Sequence, residues 1–522
     1  MRFSQVAPYL FLLFATLPKL ASAAPRADGQ LELEVVDGET GQPLAARVHL
    51  RSTRSRSIKL QLPGTSEYGD HFYVDGRLTL PLRVGQYTME IEATPEYRTI
   101  TSQPFDIERH ADDSKKVELP RFCNLADEGW WAGDLDVARP PADLPLAMRA
   151  EGVNLVVDVA PPARAVSAAR EQAARKPNDA TAAALQPNAH FVIESNAILD
   201  QRAGGGLVII DAQPPVDLSA ATPYSPTSLS VIRDANKAGG HVIARTPFAW
   251  DLPVWLASSE LDAIQLIHHH SLRNDVENTE QDGRPRDRSL FPGTSGNGRW
   301  SEAIYYHVLN CGLCIPPAAG SGTGTNGSPL GNNRVYVYCG DEFSSERWWE
   351  GLEAGRVFVT NGPLLRPMVQ GKPPGYIFPL RQGDSLTLEV GLELATRVPV
   401  EYLQVIKNGR VEAEARLEDW KGKKGRLPPV VFDDSGWFLV RAVTNNPRNY
   451  QFASSGPYYV EVAGQPRISR RSVQFFLDWL DAAEERLGKL KEVSDSDRAA
   501  LLAEQEQARQ FFADLLARAN AD

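Results

Sequence analysis

Trp130-Trp131-Ala132-Gly133-Asp134-Leu135-Asp136-Val137-Ala138-Arg139-Pro140 is the stretch on which the fold turns. It reads as a strand that carries Asp134 and Asp136 toward its end and stops at Pro140. Downstream of it, short runs rich in Val, Ile and Leu recur at 154–159, 190–194, 207–211, 241–245 and 262–267, each of the length and texture of a buried strand. Helical patterns at 144–152 and 229–240 fall between them, the second ending in Gly239-Gly240. Such alternation between residues 121 and 367 predicts a parallel α/β barrel. The alanine-rich stretch 168–184 is compatible with helix or loop.

In a parallel barrel the working side chains sit where strands end, because the loops there converge on one mouth. The rule selects Asp134 and Asp136 from the first strand, then Asp158, Glu194, Asp211 and the run His268-His269-His270. Carboxylates with imidazoles opposite can hold a divalent cation. A solvated barrel rim has the same composition. Three adjacent histidines on a strand cannot all face one point, since alternation turns the middle one away; a loop relaxes that constraint and leaves metal ligation, ligand binding and a structural role all open.

The flanks have a different texture. At 25–120, period-two alternation is broken by turns such as Asp37-Gly38-Glu39-Thr40-Gly41-Gln42-Pro43-Leu44. Strand patterns return at 368–465, with an Asn408-Gly409 hairpin turn. At 466–522, Val473, Phe476, Leu477, Leu480 and Leu487 share one helical face and Leu501, Ala508, Phe511, Phe512 and Leu515 another, with Ser494 and Asp497 placed as a cap between them. This predicts a helical hairpin, packed back on the protein or forming a dimer seam. Residues 1–24 combine Arg2, an apolar run and Ala21-Ser22-Ala23, the pattern of a secretory signal peptide.

The chain has 522 residues, 42% hydrophobic and 23% charged, which leaves room for several domains with sizeable cores. A net charge of −11 without a basic stripe argues against a nucleic-acid partner. Once the leader is removed, no remaining segment is apolar enough to predict a membrane span, so the expected location is secreted or periplasmic. Cys123, Cys311, Cys314 and Cys339 allow three complete pairings, and Cys311-Gly312-Leu313-Cys314 also has the spacing of a redox dithiol or half a zinc knuckle. No nucleophile elbow, phosphate-binding loop or dinucleotide fingerprint stands in a strand-to-helix setting.

Several segments together resemble the PHP-type metallohydrolases of the CehA/McbA-like group: 130–134, Gly283-Arg284-Pro285-Arg286-Asp287-Arg288, Gly296-Asn297-Gly298-Arg299-Trp300, and Trp348-Trp349-Glu350-Gly351-Leu352 running on to Gly362-Pro363. The region at 25–120 is similar to carboxypeptidase-regulatory-like or Cna-B-like modules, and 368–465 to the immunoglobulin-like domain that follows such barrels. The implied fold class is multidomain α/β and β: a distorted parallel (β/α) PHP-like barrel flanked by two β-sandwich domains and a C-terminal helical hairpin.

The resemblance implies a metal centre with imidazoles in the first strand, where this chain has Asp136 and Ala138. An Asp-His pair is implied where Asp158-Val159 stands, a His-Pro where Thr246-Pro247 stands, and a Gly-Ser-Asp-x-His where Gly320-Ser321-Gly322-Thr323-Gly324 stands. His241 lies at the other end of its strand, some ~16 Å away. Alanine and glycine donate no lone pair, and a carboxylate favours harder cations than an imidazole does. The expectation is therefore no cofactor, or at most a single zinc, manganese or iron on Asp136, Asp158, Glu194 and His270.

The implied function is a degenerate metallohydrolase that keeps a pocket for a small polar or saccharide-like ligand, drawn from Asp134, Asp136, Asp158, Glu194, His268, His270 and Arg286. The alternatives are an active hydrolase of phosphoester or related ester bonds with one cation on Asp134, Asp136, Asp158, Glu194 and His270, and a cell-surface interaction protein. Trp130-Trp131 and Trp348-Trp349 fit core packing or stacking on carbohydrate. Arg284, Arg286, Asp287 and Arg288 fit an anion clamp or a salt-bridged loop anchor. His307 fits a packed helix position.

Overall fold

The computed structural model describes residues 27–53, 57–58, 67–159, 191–281 and 283–522. The expected leader at 1–24, the stretch 168–184 and His190 lie outside them. N-terminal alternation becomes β1 (Gly29–Asp37), β2 (Ala45–Ser52), β3 (Glu67–Tyr68), β4 (His71–Asp75), β5 (Arg77–Leu82), β6 (Gly85–Glu92), β7 (Ile100–Thr101), β8 (Phe105–Ile107) and β9 (Asp112–Leu119). One sheet has the order β5-β1-β9; the other runs β3-β4-β2-β6-β7 with β8 against β6. Leu31, Leu33 and Val35 of β1 meet Val48, Leu50, Phe72, Val74, Met89 and Ile91 in the core between them. The turn after β1 is built on Asp37, which accepts the N–H groups of Glu39 and Thr40 and the Tyr97 hydroxyl at 2.6 Å. The Tyr97 hydrogen bond leads in holding this carboxyl down at about 2.

The central strands are β10 (Trp130–Val137), β11 (Leu155–Val159), β12 (Val192–Asp200), β13 (Leu207–Ile210), β14 (His241–Ala244), β15 (Ala263–Ile267), β16 (Pro317–Ala319), β17 (Arg334–Tyr338) and β18 (Val357–Thr360), interleaved with α1 (Leu144–Glu151), α2 (Ser228–Lys237), α3 (Leu252–Ser258), α4 (Gly296–Asn310) and α5 (Ser345–Glu353). β10, β11, β13 and β15 are buried along their whole length, the reason they read as continuous apolar runs.

The expected all-parallel sheet is corrected to a mixed one. β10, β11 and β12 are parallel, as are β14, β15 and β16, but β13 runs against both of its neighbours, and β17 and β18 are antiparallel. The cause is the link 201–206, too short for a crossover, which needs about a dozen residues. Its glycines let it press inward: a Cβ on Gly204 would fall 1.8 Å from an Asp251 carboxylate oxygen. The hydrogen-bonded path is open, yet the sheet curls until β16 packs against β10, β17 and β18.

Ten more strands among the described residues, β19 to β28, lie between Leu364 and Val462, with a short helix α6 (Leu417–Gly422). The central sheet continues through β18 into β27 (Phe452–Ser455), β26 (Gly436–Thr444), β23 (Val400–Lys407) and β24 (Arg410–Ala415). One sheet thus crosses position 367, which itself lies inside β19 (Leu364–Val369). Asn408 and Gly409, at φ 50° and 82°, join β23 to β24. Finally α7 (Arg470–Lys489) and α8 (Asp495–Ala517) lie together, Phe476 stacked on Phe512 at 5.1 Å, and the Ser494 side chain caps α8 by accepting from Asp497 N–H. They pack on α3 and α4. Among the described residues no helix is long and apolar enough to cross a membrane. None of the four cysteines is in a disulfide.

Candidate functional site

β10 delivers Asp134 and Asp136 to one face, two residues apart, and both are fully buried. Asp134 is consumed by backbone: Oδ1 accepts the N–H of Ser321 at 2.9 Å and Oδ2 that of Gly331 at 2.8 Å. Burial nonetheless pushes its carboxyl up to about 6. Asp134 therefore ties β10 to the loops that follow β16. Asp136 Oδ2 accepts the Arg245 Nε–H at 2.6 Å, with both side chains almost fully buried. Its Oδ1 has no hydrogen-bond partner among the described residues. Arg245 follows β14 directly, and its stem lies across Gly206, where a Cβ would stand 2.9 Å from the Arg245 Cβ.

The glycines of 320–324 have a steric cause. A Cβ on Gly320 would stand 2.6 Å from the Asp136 Cβ, on Gly322 2.5 Å from the His269 Cβ, and on Gly324 1.9 Å from the Ala138 carbonyl oxygen. Gly322 and Gly324 also hold φ of 63° and 92°. This loop has closed onto the end of β10, leaving no room for a liganding side chain.

His268-His269-His270 leave β15 as a loop, and their ring centroids stand 5.8, 5.1 and 4.4 Å apart. His268 Nε2 meets Ser301 Oγ at 3.1 Å, while the Nδ1 atoms of His268 and His269 are buried without a hydrogen-bond partner among the described residues. Burial, with Arg245 adding to it, drives the His270 pKa down to about 4 and those of His268 and His269 well below their ordinary value. All three rings are neutral at pH 7. His269 and His270 line a cavity of about 320 Å³ with Gln201, Arg202, Arg245, Thr246, Glu277, Thr279 and Gln281. Arg202 is paired to Asp200 and Arg245 to Asp136, so both cations arrive already balanced.

The structure brings together Asp136 and His270 through Arg245, and leaves other expected residues elsewhere. Asp158 is buried in β11 opposite Val137. Glu194 was expected at a strand end, but β12 continues to Asp200 and Glu194 accepts from the Ser345 hydroxyl at 2.8 Å, beside Trp349 at the start of α5. Arg286 is buried against Glu280, Asn278 and the Phe291 carbonyl, which makes it a loop anchor. Arg284 lies over the rings of Phe475 and Trp479. The tryptophan pairs are packing residues: Trp348 donates to the Trp131 carbonyl at 3.0 Å, and His241 stacks on Trp349 at 4.2 Å. His307 stacks on Phe475. Sequence reading missed Arg245, although the rule that strand ends carry the working groups points to it.

A second cavity of about 320 Å³ lies where the N-terminal sandwich meets the rest of the protein, lined by Arg47, Glu92, Glu151, Arg273, Arg334 and Arg397. Its guanidiniums are consumed by Glu90, Glu92, Glu151 and backbone carbonyls. It reads as a charged clamp between domains.

The metal centre implied by the resemblance does not fit these residues. A guanidinium already holds Asp136, backbone amides hold Asp134, and among the described residues no group of three ligand atoms gathers at this site. Among the described residues, three or more carboxylate, imidazole or thiol ligand atoms come within 4.8 Å of one another at His49-Asp70-His71 and at His241-Asp262-Glu353, and neither group belongs to this site.

No protein-family model and no curated protein matches the chain. Among solved structures it has a weak likeness to the Bacillus anthracis TIE protein, 16% identical over 21% of this chain and 19% of that one, with a TM-score of 0.15. The chain thus spans about a fifth of that protein's length, and the likeness carries no argument about fold or activity.

Proposed function

We propose that this chain is a secreted relative of the PHP-type CehA/McbA proteins, a distorted barrel between two sandwiches with a closing helical hairpin, whose catalytic metal centre has been replaced by a pocket for a small hydroxyl-rich ligand. One observation carries the reading: Arg245 supplies, beside Asp136, the positive charge a cation would supply, and faces a cavity walled by amide, hydroxyl and imidazole groups. The curl of the sheet onto β16 supports the barrel-like ancestry.

A volume of about 320 Å³ lies at the small end of ligand pockets, which suits one sugar ring. Its lining supplies both donors and acceptors, as hydroxyl recognition requires. The alternative, ester hydrolysis on a bound cation, has no cluster of three ligand atoms to hold its metal here among the described residues.

Calorimetry with a panel of monosaccharides and their uronic acids tests the reading. At least one should bind, and Arg245→Gln should weaken it tenfold or more, about 1.4 kcal/mol. Absence of binding across the panel, or binding indifferent to Arg245, would refute it; chelator-sensitive hydrolysis of a generic phosphodiester would favour the hydrolase.

A further inference from the structure

We propose that the N-terminal sandwich carries a divalent-cation site of the kind zinc occupies, made by His49, Asp70 and His71 and independent of the central cavity. Arg47 faces Tyr73 and Val48 faces Phe72 across β2 and β4. The next step of that antiparallel register sets His49 opposite His71, on the sheet face that also carries Arg47 and Tyr73. Asp70 ends the tight turn between β3 and β4, after Gly69 at φ 61°, and presents one carboxylate oxygen to each ring. Oδ2 stands 3.3 Å from His49 Nδ1, and Oδ1 stands 3.0 Å from His71 Nδ1. Two donors on one tetrahedral zinc at 2.0–2.1 Å stand about 3.3 Å apart. The His71–Asp70 separation is that of a hydrogen bond, which a bound ion would replace, and one ligand atom from each residue lies within 4.8 Å of the other two, so the three donors can close on one ion with little movement.

Burial points the same way. His49 is 1% exposed, and neither of its ring nitrogens makes a hydrogen bond of good geometry among the described residues. An unsatisfied buried polar atom carries a desolvation penalty, which coordination removes. The neighbouring fixed cation, Arg47, is ion-paired to Glu92 and Glu151, so its charge does not repel an incoming ion unopposed. The other group, His241-Asp262-Glu353, is weaker: it is more exposed, and Asp262 already accepts the Val242 N–H at 2.6 Å.

The face that carries the histidines is the one on which Ala45 and Tyr73 pack against α1. A bound ion would staple β2 to β4 at the seam between the sandwich and the central sheet. Because it binds the folded form, it would raise stability by mass action.

The test is Zn²⁺ titration of the full chain against a chromophoric chelator, with Co²⁺ absorption as a readout of coordination number. Wild type should take up one equivalent, show an intense four-coordinate Co²⁺ band and gain thermal stability with zinc. His49→Gln and Asp70→Asn, with metal-free circular dichroism matching wild type, should each weaken uptake tenfold or more; His241→Gln and Arg245→Gln should not. Lack of stoichiometric uptake, equal affinity in the His49 and Asp70 variants, or loss confined to His241→Gln would overturn the proposal. Since Arg245→Gln keeps its zinc and His49→Gln keeps the central cavity, failure here is distinguishable from failure of the ligand-pocket reading.

Discussion

At the scale of single residues, the pair formed by Asp136 and Arg245 sets the chemistry of the site. Both side chains are nearly inaccessible, and the guanidinium is held at 2.6 Å through Nε. Removing one partner of such a pair leaves the other charge buried and uncompensated, which costs more than the pair contributes. Asp136→Asn should therefore lower unfolding stability by about 3 kcal/mol in urea titrations, and Arg245→Gln added to it should recover part of the loss. A neutral Asp136→Asn would mean that Arg245 turns to solvent instead. The acidic residues of β10 were legible in the sequence because strand alternation and Pro140 mark the strand end. The pairing of Arg245 with Asp136 was not, because the two lie 109 positions apart and ion pairing across a sheet leaves no local pattern. The glycines at 320–324 stood where the resemblance implied ligands, but their cause, contact with the Ala138 carbonyl and His269, exists only in the folded loop.

At the scale of elements, α4 shows how a helix can tie two regions together. Glu302 is 1% exposed and accepts from Arg441 of β26 at 2.9 Å and from the Tyr450 hydroxyl at 2.8 Å. Glu302→Gln keeps the shape and removes the charge, so it should cost about 3 kcal/mol, seen as a lower urea midpoint with the far-ultraviolet spectrum unchanged. An unaltered midpoint would show that Arg441 finds another acceptor. The helix expected around His307 starts at Gly296. Gly296 and Gly298 look like loop residues, yet they serve close packing: a Cβ on Gly298 would stand 2.5 Å from the Tyr450 ring. The antiparallel β13 was not within reach of the sequence: the runs at 190–194 and 207–211 leave about a dozen residues between them, enough for a parallel crossover, and only the continuation of β12 to Asp200 shortens the link to 201–206. The apolar run alone does not report strand direction.

At the scale of the whole molecule, buried histidines set the response to acid. His71, His270 and His307 are held at about 4 by burial against an ordinary 6.5, and burial carries His268 and His269 well below that ordinary value too. As pH falls from 6.5 toward 4, the unfolded chain takes up protons that the native chain refuses, so stability is full above 6.5 and is lost through that window. Asp134, raised to about 6, acts in the opposite sense: from 3.8 to 6 the native chain keeps a proton that the unfolded chain has released, so it favours folding less as pH rises. Five imidazoles of the described residues, His71 among them, act in this window; burial also raises the carboxyls of Glu96, Asp251, Asp262 and Glu504, but Asp134 is the one moved far, to about 6. The urea midpoint should therefore fall between pH 7 and 5, with uptake of more than one proton on unfolding; a flat profile would show that the rings are solvated. The domain texture of the chain was legible because local periodicity reports it. The continuity of one sheet across position 367 was not, because strand pairing over long separations is written in no short segment. The central claim is that Arg245, and no metal ion, balances Asp136. Anomalous diffraction from crystals grown with Zn²⁺ or Mn²⁺ tests it most directly: the account predicts no anomalous peak within about 2.6 Å of Asp136 or His270, whereas a peak bonded to Asp136 with Arg245 displaced would contradict it.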